Sequence, residues 1–236
     1  MIRIQPLGSS SAGNAYLIDD GTTRLLFEAG LRYKDIQRGV GFQMSSIAGC
    51  LITHEHGDHC KSVKDVLKAG IDVYASYGTW NALALDGHHR AHPVKSQEPF
   101  TVGTWTVLPF DVQHDVSEPF GYLLANQAGE KLVFLTDTYY CKYRFDGLTH
   151  VMVECNFSQA MLDENIASGR VPAVMRKRLM RSHFSLEHML EFLQANDLKE
   201  VREIWLLHLS DTNSDEALFK RRVQEVTGKT VRVAGR

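Results

Sequence analysis

Three imidazoles and two carboxylates, of which Asp58 is the candidate ligand, fall within six positions of the run Thr53-His54-Glu55-His56-Gly57-Asp58-His59. Imidazole nitrogen and carboxylate oxygen together suit zinc, iron or manganese. On a turn, alternate side chains point apart. His54 and His56 can then serve one ion, and Asp58 and His59 a second ion beside it. A polar loop merely rich in histidine is the bland alternative, but the order H-x-H-x-D-H restricts far more than histidine content does. The flanking elements agree. Ala48 to Ile52 reads as a short buried strand, and Cys60 to Ala69 as a helix with Val63, Val66 and Leu67 on one side. The cluster thus stands at the C-terminal end of a strand, where α/β folds keep their sites.

Other elements place further candidates at strand ends. Ile2 and Ile4, Ala15 to Ile18 and Arg24 to Phe27 read as an opening meander, broken by turn formers at Gly8 to Asn14 and at Asp19-Asp20-Gly21. Glu28 ends its third strand. Asp72 to Ala75 is a further strand and Tyr77 to Leu85 a helix. The histidines of Asp86 to Pro93 (His88, His89 and His92) lie between Gly87 and Pro93 without a carboxylate inside their own group, so a surface loop or site rim is expected there. Phe100 to Val112 and Phe120 to Leu135 alternate like strands of a second sheet, with His114 between them. Asp137 follows the apolar run Lys131 to Leu135. Glu154 closes Val151 to Glu154, and His208 lies in Ile204 to Ser210. Ser185 is placed to cap a helix from Leu186 to Ala195, just after His183.

Composition bounds the class. A chain of 236 residues, 44% hydrophobic, can form one domain, 1–236, with a core that needs no staples. The net charge of −2 leaves no global basic field, so any nucleic-acid contact must be local. One local patch exists. Arg170, Arg176, Lys177, Arg178 and Arg181 lie in a stretch without an acid, and the last three share a helix face. Cys50, Cys60, Cys141 and Cys155 form no C-x-x-C pair, and Cys60 reads as a small helix residue rather than a ligand. Met1 to Pro6 lacks a signal-peptide core, and no apolar run reaches membrane-spanning length. A cytoplasmic protein with no membrane partner is expected; a homo-oligomer is left open.

Thr53 to His59 resembles the signature of the metallo-β-lactamase superfamily of binuclear hydrolases. That resemblance implies an α/β fold of the four-layer αββα sandwich kind. It implies that His54, His56 and His114 hold one divalent ion, that Asp58, His59 and His208 hold the other, and that Asp137 bridges them. Zinc or manganese is expected, with iron also suited. The superfamily usually has Asp where this chain has Glu28. Glu154 and His183 look like the Glu–His pair that tRNase Z-like phosphodiesterases use to pass a proton to the leaving oxygen.

Within the superfamily the chain most resembles the WalJ/YycJ-type branch. Four blocks carry this likeness: Gly8 to Asn14, His114 to Tyr122, Glu154-Cys155-Asn156 with His183 to Glu187, and His208-Leu209-Ser210 with Asn213 to Asp215. Phe157 and Ser158 stand where that branch commonly has His and Asp. The resemblance implies a DNA exonuclease with 5′ to 3′ preference, acting on single-stranded or nicked DNA, with RNA as an alternative. A metal-bridging hydroxide would attack phosphorus in line, Asp58 would share proton handling, and His183 would protonate the 3′ oxygen. Ser9, Ser10, Ser11, Asn14 and Asn213, with Arg176, Lys177, Arg178 and Arg181, are the expected substrate contacts. The rivals are an RNA-processing nuclease, a small-molecule hydrolase of thioesters or cyclic phosphodiesters, and a metal-stabilised binding protein without activity.

Overall fold

A computed structural model describes residues 1–235 as a mixed α/β chain. It forms two compact units, Met1–Asp111 with Val116–Glu130, and Val112–Asp115 with Lys131–Ala234.

The first unit opens with the expected meander. Strands β1 (Arg3–Ser10), β2 (Gly13–Asp19) and β3 (Arg24–Phe27) pair antiparallel. Strands β4 (Ile47–Leu51), β5 (Val73–Ser76) and β6 (Ala91–Val94) then add in parallel, giving a six-stranded sheet in chain order. Helix α1 (Tyr33–Gly39) links β3 to β4. The helix expected over Cys60 to Ala69 is two helices, α2 (Gly57–Cys60) and α3 (Val63–Lys68). Ser62 marks the break: its N–H donates to the Ala29 carbonyl and its hydroxyl to that of Leu31, so two of its groups serve the loop after β3. Val63, Val66 and Leu67 face the core as their spacing requires. Helix α4 (Tyr77–Leu83) is capped by the Ser76 hydroxyl and stops at Ala84, whose φ is 52°. Strands β7 (Phe100–Val102), β8 (Trp105–Asp111) and β9 (Phe120–Asn126) pair antiparallel, with a turn at Gly103 splitting the first two.

Gly8 to Asn14 is not a loop: β1 runs through Ser10 and β2 starts at Gly13, leaving only Ser11 and Ala12 to turn. His92 is not in a loop either. It lies in β6, stacked 5.0 Å from Tyr74, with Nε2 3.2 Å from Asp72.

The second unit is a parallel arrangement. Strands β10 (Lys131–Leu135), β11 (His150–Glu154), β12 (Glu203–Leu207) and β13 (Thr230–Val233) pair in the order β13-β12-β11-β10. Every residue of β11 is buried, as a central parallel strand covered on both faces should be. Helices α5 (Gln159–Ala167), α6 (Val174–Ser182) and α7 (Leu186–Gln194) lie between β11 and β12, and α8 (Glu216–Thr227) between β12 and β13. The Ser185 hydroxyl caps α7 as expected, accepting from the His188 N–H. Among the described residues, no helix is long and apolar enough to cross a membrane.

Candidate functional site

In the first unit the histidine run leaves β4 at Leu51 and turns into α2. Its position is fixed by the loop after β3. The Ala29 N–H donates to the His59 carbonyl at 2.7 Å, and the Gly30 N–H to the Asn14 carbonyl at 2.9 Å. Gly30 has no substitute: a Cβ there would stand 1.6 Å from the Asp58 carbonyl oxygen. The imidazoles gather as the spacing requires, with ring centres 4.2 Å apart for His54 and His59 and 4.8 Å for His54 and His56.

Glu28 is fully buried, and its carboxylate accepts from the Thr53 N–H and lies 3.6 Å from His59 Nδ1. One methylene longer than the usual Asp, it still reaches the histidine. Burial pushes its pKa above the ordinary value, against the opposing influence of His59 and Thr53. His54 Nδ1 meets the Thr53 hydroxyl at 2.9 Å. The Thr53 hydroxyl thus sits on Nδ1 of His54, while Nδ1 of His59 faces the Glu28 carboxylate beyond hydrogen-bond distance. At His59, Nε2 faces the Asn14 amide at 3.2 Å and the Asp58 carboxylate at 3.4 Å.

The second unit gathers its candidates by topology. In a parallel sheet all strands end at one edge. Asp137 follows β10, Glu154 ends β11 and His208 follows β12, so residues far apart in the chain become neighbours. Donor atoms of Asp137, Glu154, His183 and His208 all lie within 4.8 Å of one another. Asp137 Oδ1 is 2.7 Å from His208 Nδ1 and accepts from the Thr136 hydroxyl at 2.9 Å. His114 turns Nδ1 to the Ser182 carbonyl at 3.0 Å and Nε2 towards Asp137 Oδ2 at 3.8 Å. His183 Nδ1 donates to Glu154 Oε1 at 2.6 Å, while Glu154 Oε2 accepts the backbone N–H of both Thr138 and Phe184.

The charges are mutually supporting. Burial disfavours protonated His208, yet Asp137 and Glu154 outweigh it and hold its pKa up at about 10. His183 is likewise raised: burial opposes protonation and Glu154 overcomes it. Burial would raise Glu154, but His183 more than reverses this and the carboxyl lies below its ordinary value. Three strand-end residues, Glu28, Asp137 and His208, adopt φ of 61°, 47° and 51°, a left-handed backbone that non-glycine residues rarely take.

Several expected substrate contacts are not available as such. Ser9 is buried and meets the Tyr16 hydroxyl at 2.7 Å. Asn14 is buried and spends its amide on Ser10, Asp58 and His59, so it positions the histidine segment instead. Asn213 is buried and accepts from the Asn165 amide. Ser10 is half-buried, its hydroxyl accepting from the Ala12 N–H, and Ser11 is exposed. Arg176, Lys177, Arg178 and Arg181 are exposed on α6, with Arg176 paired to Asp163 at 2.8 Å. Phe157, the departure noted in sequence, is buried with Leu162 and Val171 beneath Met175, Leu179 and Met180, and so anchors α6.

The donor sets fit divalent ions in each unit: imidazole nitrogens with carboxylate oxygens beside them. The Beta-lactamase superfamily domain model matches residues 16–209. The chain belongs to this superfamily of metal-dependent hydrolases. Exodeoxyribonuclease YycJ of Bacillus anthracis is 29% identical over 234 residues, covering 93% of this chain and 87% of that protein. The metallo-beta-lactamase fold protein YhfI of Bacillus subtilis superposes with a TM-score of 0.76 at 16% identity, covering 99% and 96% of the two chains. The short form of human tRNase Z gives 0.62 at 17% identity, covering 100% and 96%. The fold is therefore that of the metallo-β-lactamases, two sheets flanked by helices.

Proposed function

We propose that the chain is a binuclear phosphodiesterase, a 5′ to 3′ exonuclease of single-stranded or nicked DNA. The whole chain, 1–236, acts as one hydrolase domain in the cytoplasm. His54, His56 and His114 hold one divalent ion, Asp58, His59 and His208 the other, and Asp137 is shared. Zinc and manganese both suit such donors, and iron can replace them. Ions so held act as Lewis acids towards a phosphoryl oxygen and lower the pKa of water.

The Glu154–His183 contact of 2.6 Å carries the phosphodiester reading. A thiolate leaves without a proton, whereas a nucleotide leaves as an alkoxide that needs one. Glu154 fixes His183 Nδ1, keeps the ring protonated and so aims Nε2 outward as the proton donor. His183 gives that proton to the departing 3′ oxygen. Lys177, Arg178 and Arg181 on α6, which leads directly to His183, offer cations to the phosphate backbone. The exodeoxyribonuclease name of the YycJ relative supports DNA as the polymer.

End-labelled DNA and RNA oligomers, incubated with manganese or zinc, test this directly. Stepwise shortening of DNA from its 5′ end, absent in His56→Ala, is the expected result. Full metal loading with no cleavage of either polymer would overturn it in favour of a small-ester hydrolase.

A further inference from the structure

A cavity of about 400 Å³ opens in the second unit between the segment Tyr139–Arg144 and the face of α7. That volume lies within the range of ligand pockets, about 300–1,000 Å³. Its walls are unusually aromatic: Tyr139, Tyr140 and Tyr143 on one side, Phe184 and Phe192 on the other. The two phenylalanine rings are buried, 6.0 Å apart and tilted by 36°, so one wall is rigid. Tyr140 is 56% exposed, so the opposite wall presents an aromatic ring to solvent. Lys142 and Arg144 are exposed at the rim, with Lys142 Nζ 5.0 Å from the centre of the Tyr143 ring. His188 and Glu191 add polar atoms among the rings.

The cavity is tied to the proton-handling pair. A single oxygen, Glu154 Oε2, accepts the N–H of Thr138, where one wall begins, and of Phe184, which is part of the other. The Thr138 hydroxyl donates to the Tyr140 carbonyl at 2.9 Å, fixing the start of the aromatic segment. Phe184 is the residue after His183.

We propose that this cavity is a nucleobase subsite, which takes the base of a nucleotide next to the scissile phosphate. The exposed Tyr140 ring offers a flat face on which a base stacks irrespective of sequence, and the buried Phe184 and Phe192 back the cavity with apolar surface. The polar atoms of His188 and Glu191 can bond a base edge, and the rim cations suit the phosphate beside it. An acyl chain would need neither. This assignment rests on the nucleic-acid reading of the same site.

The test uses the full chain loaded with manganese and has two arms. In the first, a short DNA carrying a fluorescent adenine analogue is titrated in, and stacking is read as quenching. Wild type should quench; Tyr140→Ala should bind about ten-fold more weakly, and Tyr140→Phe like wild type. In the second, KM is measured on a DNA oligomer and on copies with one abasic residue placed at successive positions. One position should raise the wild-type KM by about ten-fold and leave Tyr140→Ala unaffected, with kcat changed less than two-fold. Cleavage that is indifferent to Tyr140→Ala and to every abasic position overturns the subsite and leaves the nuclease reading standing. Quenching that depends on Tyr140, without cleavage of any polymer, supports the subsite and overturns the nuclease reading.

Discussion

The two histidine-bearing regions hold their imidazoles by different means. In the first unit the run His54 to His59 is contiguous, and its supports are mostly neutral: the Thr53 hydroxyl, the Asn14 amide and the backbone N–H of Ala29. Two carboxylates flank His59, Glu28 at 3.6 Å and the run's own Asp58 at 3.4 Å, both farther than those of the second unit. In the second unit the imidazoles of His183 and His208 face carboxylates at 2.6 and 2.7 Å, and the residues come from separate elements: Asp137, Glu154 and His208 from strand ends, His183 from the end of α6. Damage should therefore spread differently. Loss of the Glu28 carboxylate touches Thr53 and His59, whereas loss of Glu154 touches Thr138, His183, Phe184 and His208 together.

The largest effect is expected at Asp137, which faces both His114 and His208. Asp137→Ala should lower turnover by about 1,000-fold or more and reduce the metal retained on elemental analysis. Normal turnover in that variant would remove Asp137 from the site. Glu154→Gln sharpens the contrast between the regions. It should cut kcat on oligonucleotides by about 100- to 10,000-fold, keep bound metal and spare p-nitrophenyl esters, whose leaving group needs no proton. Equal losses on both substrates would show that Glu154 does something other than serve proton transfer.

Gly30→Ala should destabilise the first unit by about 3 kcal/mol or more in urea unfolding, because the added methyl meets the Asp58 carbonyl. Unchanged stability would mean that the segment around α2 yields easily. Glu28→Gln should weaken metal retention by about 10- to 100-fold, read by chelator competition, and leave kcat near wild type at saturating metal. A loss of kcat of Glu154 size would erase the distinction between the two regions.

The smallest effect lies at Asp72. Burial would raise its pKa, but His92 and Arg90, 3.2 and 3.0 Å from Oδ1, outweigh this and hold it below the ordinary value. A depressed folded-state pKa gives stability that is present above the unfolded-state pKa and is lost as pH falls through the folded one. Asp72→Asn should cost at most about 1 kcal/mol at neutral pH, with the difference fading as pH falls through the lowered folded-state pKa. A gap that persisted in acid would assign the effect to packing.

What the sequence made legible follows the same division. The run His54 to His59 was readable because its residues are adjacent and its flanking strand and helix have plain periodicities. Asp137, Glu154 and His208 were readable as strand-end residues, since apolar runs lead to each of them. The supports were not. That Asn14 serves His59 and Ser182 serves His114 depends on contacts across 45 and 68 residues, which no local pattern encodes. Burial removed Ser9, Asn14 and Asn213 from the expected substrate face for the same reason. The break at Ser62 was hidden because its cause lies in the loop after β3. Tyr139 to Arg144 carries no helical or strand period, so its aromatic residues showed no purpose until α7 was opposite them.

The left-handed backbone at Glu28, Asp137 and His208 sets durability against capability. Each such residue costs roughly 1–3 kcal/mol that glycine would largely avoid, yet glycine has neither carboxylate nor imidazole. A population of variants bred only for heat resistance would therefore drift towards glycine or asparagine at these three positions. The hardiest survivors would be sound proteins with nothing left to catalyse.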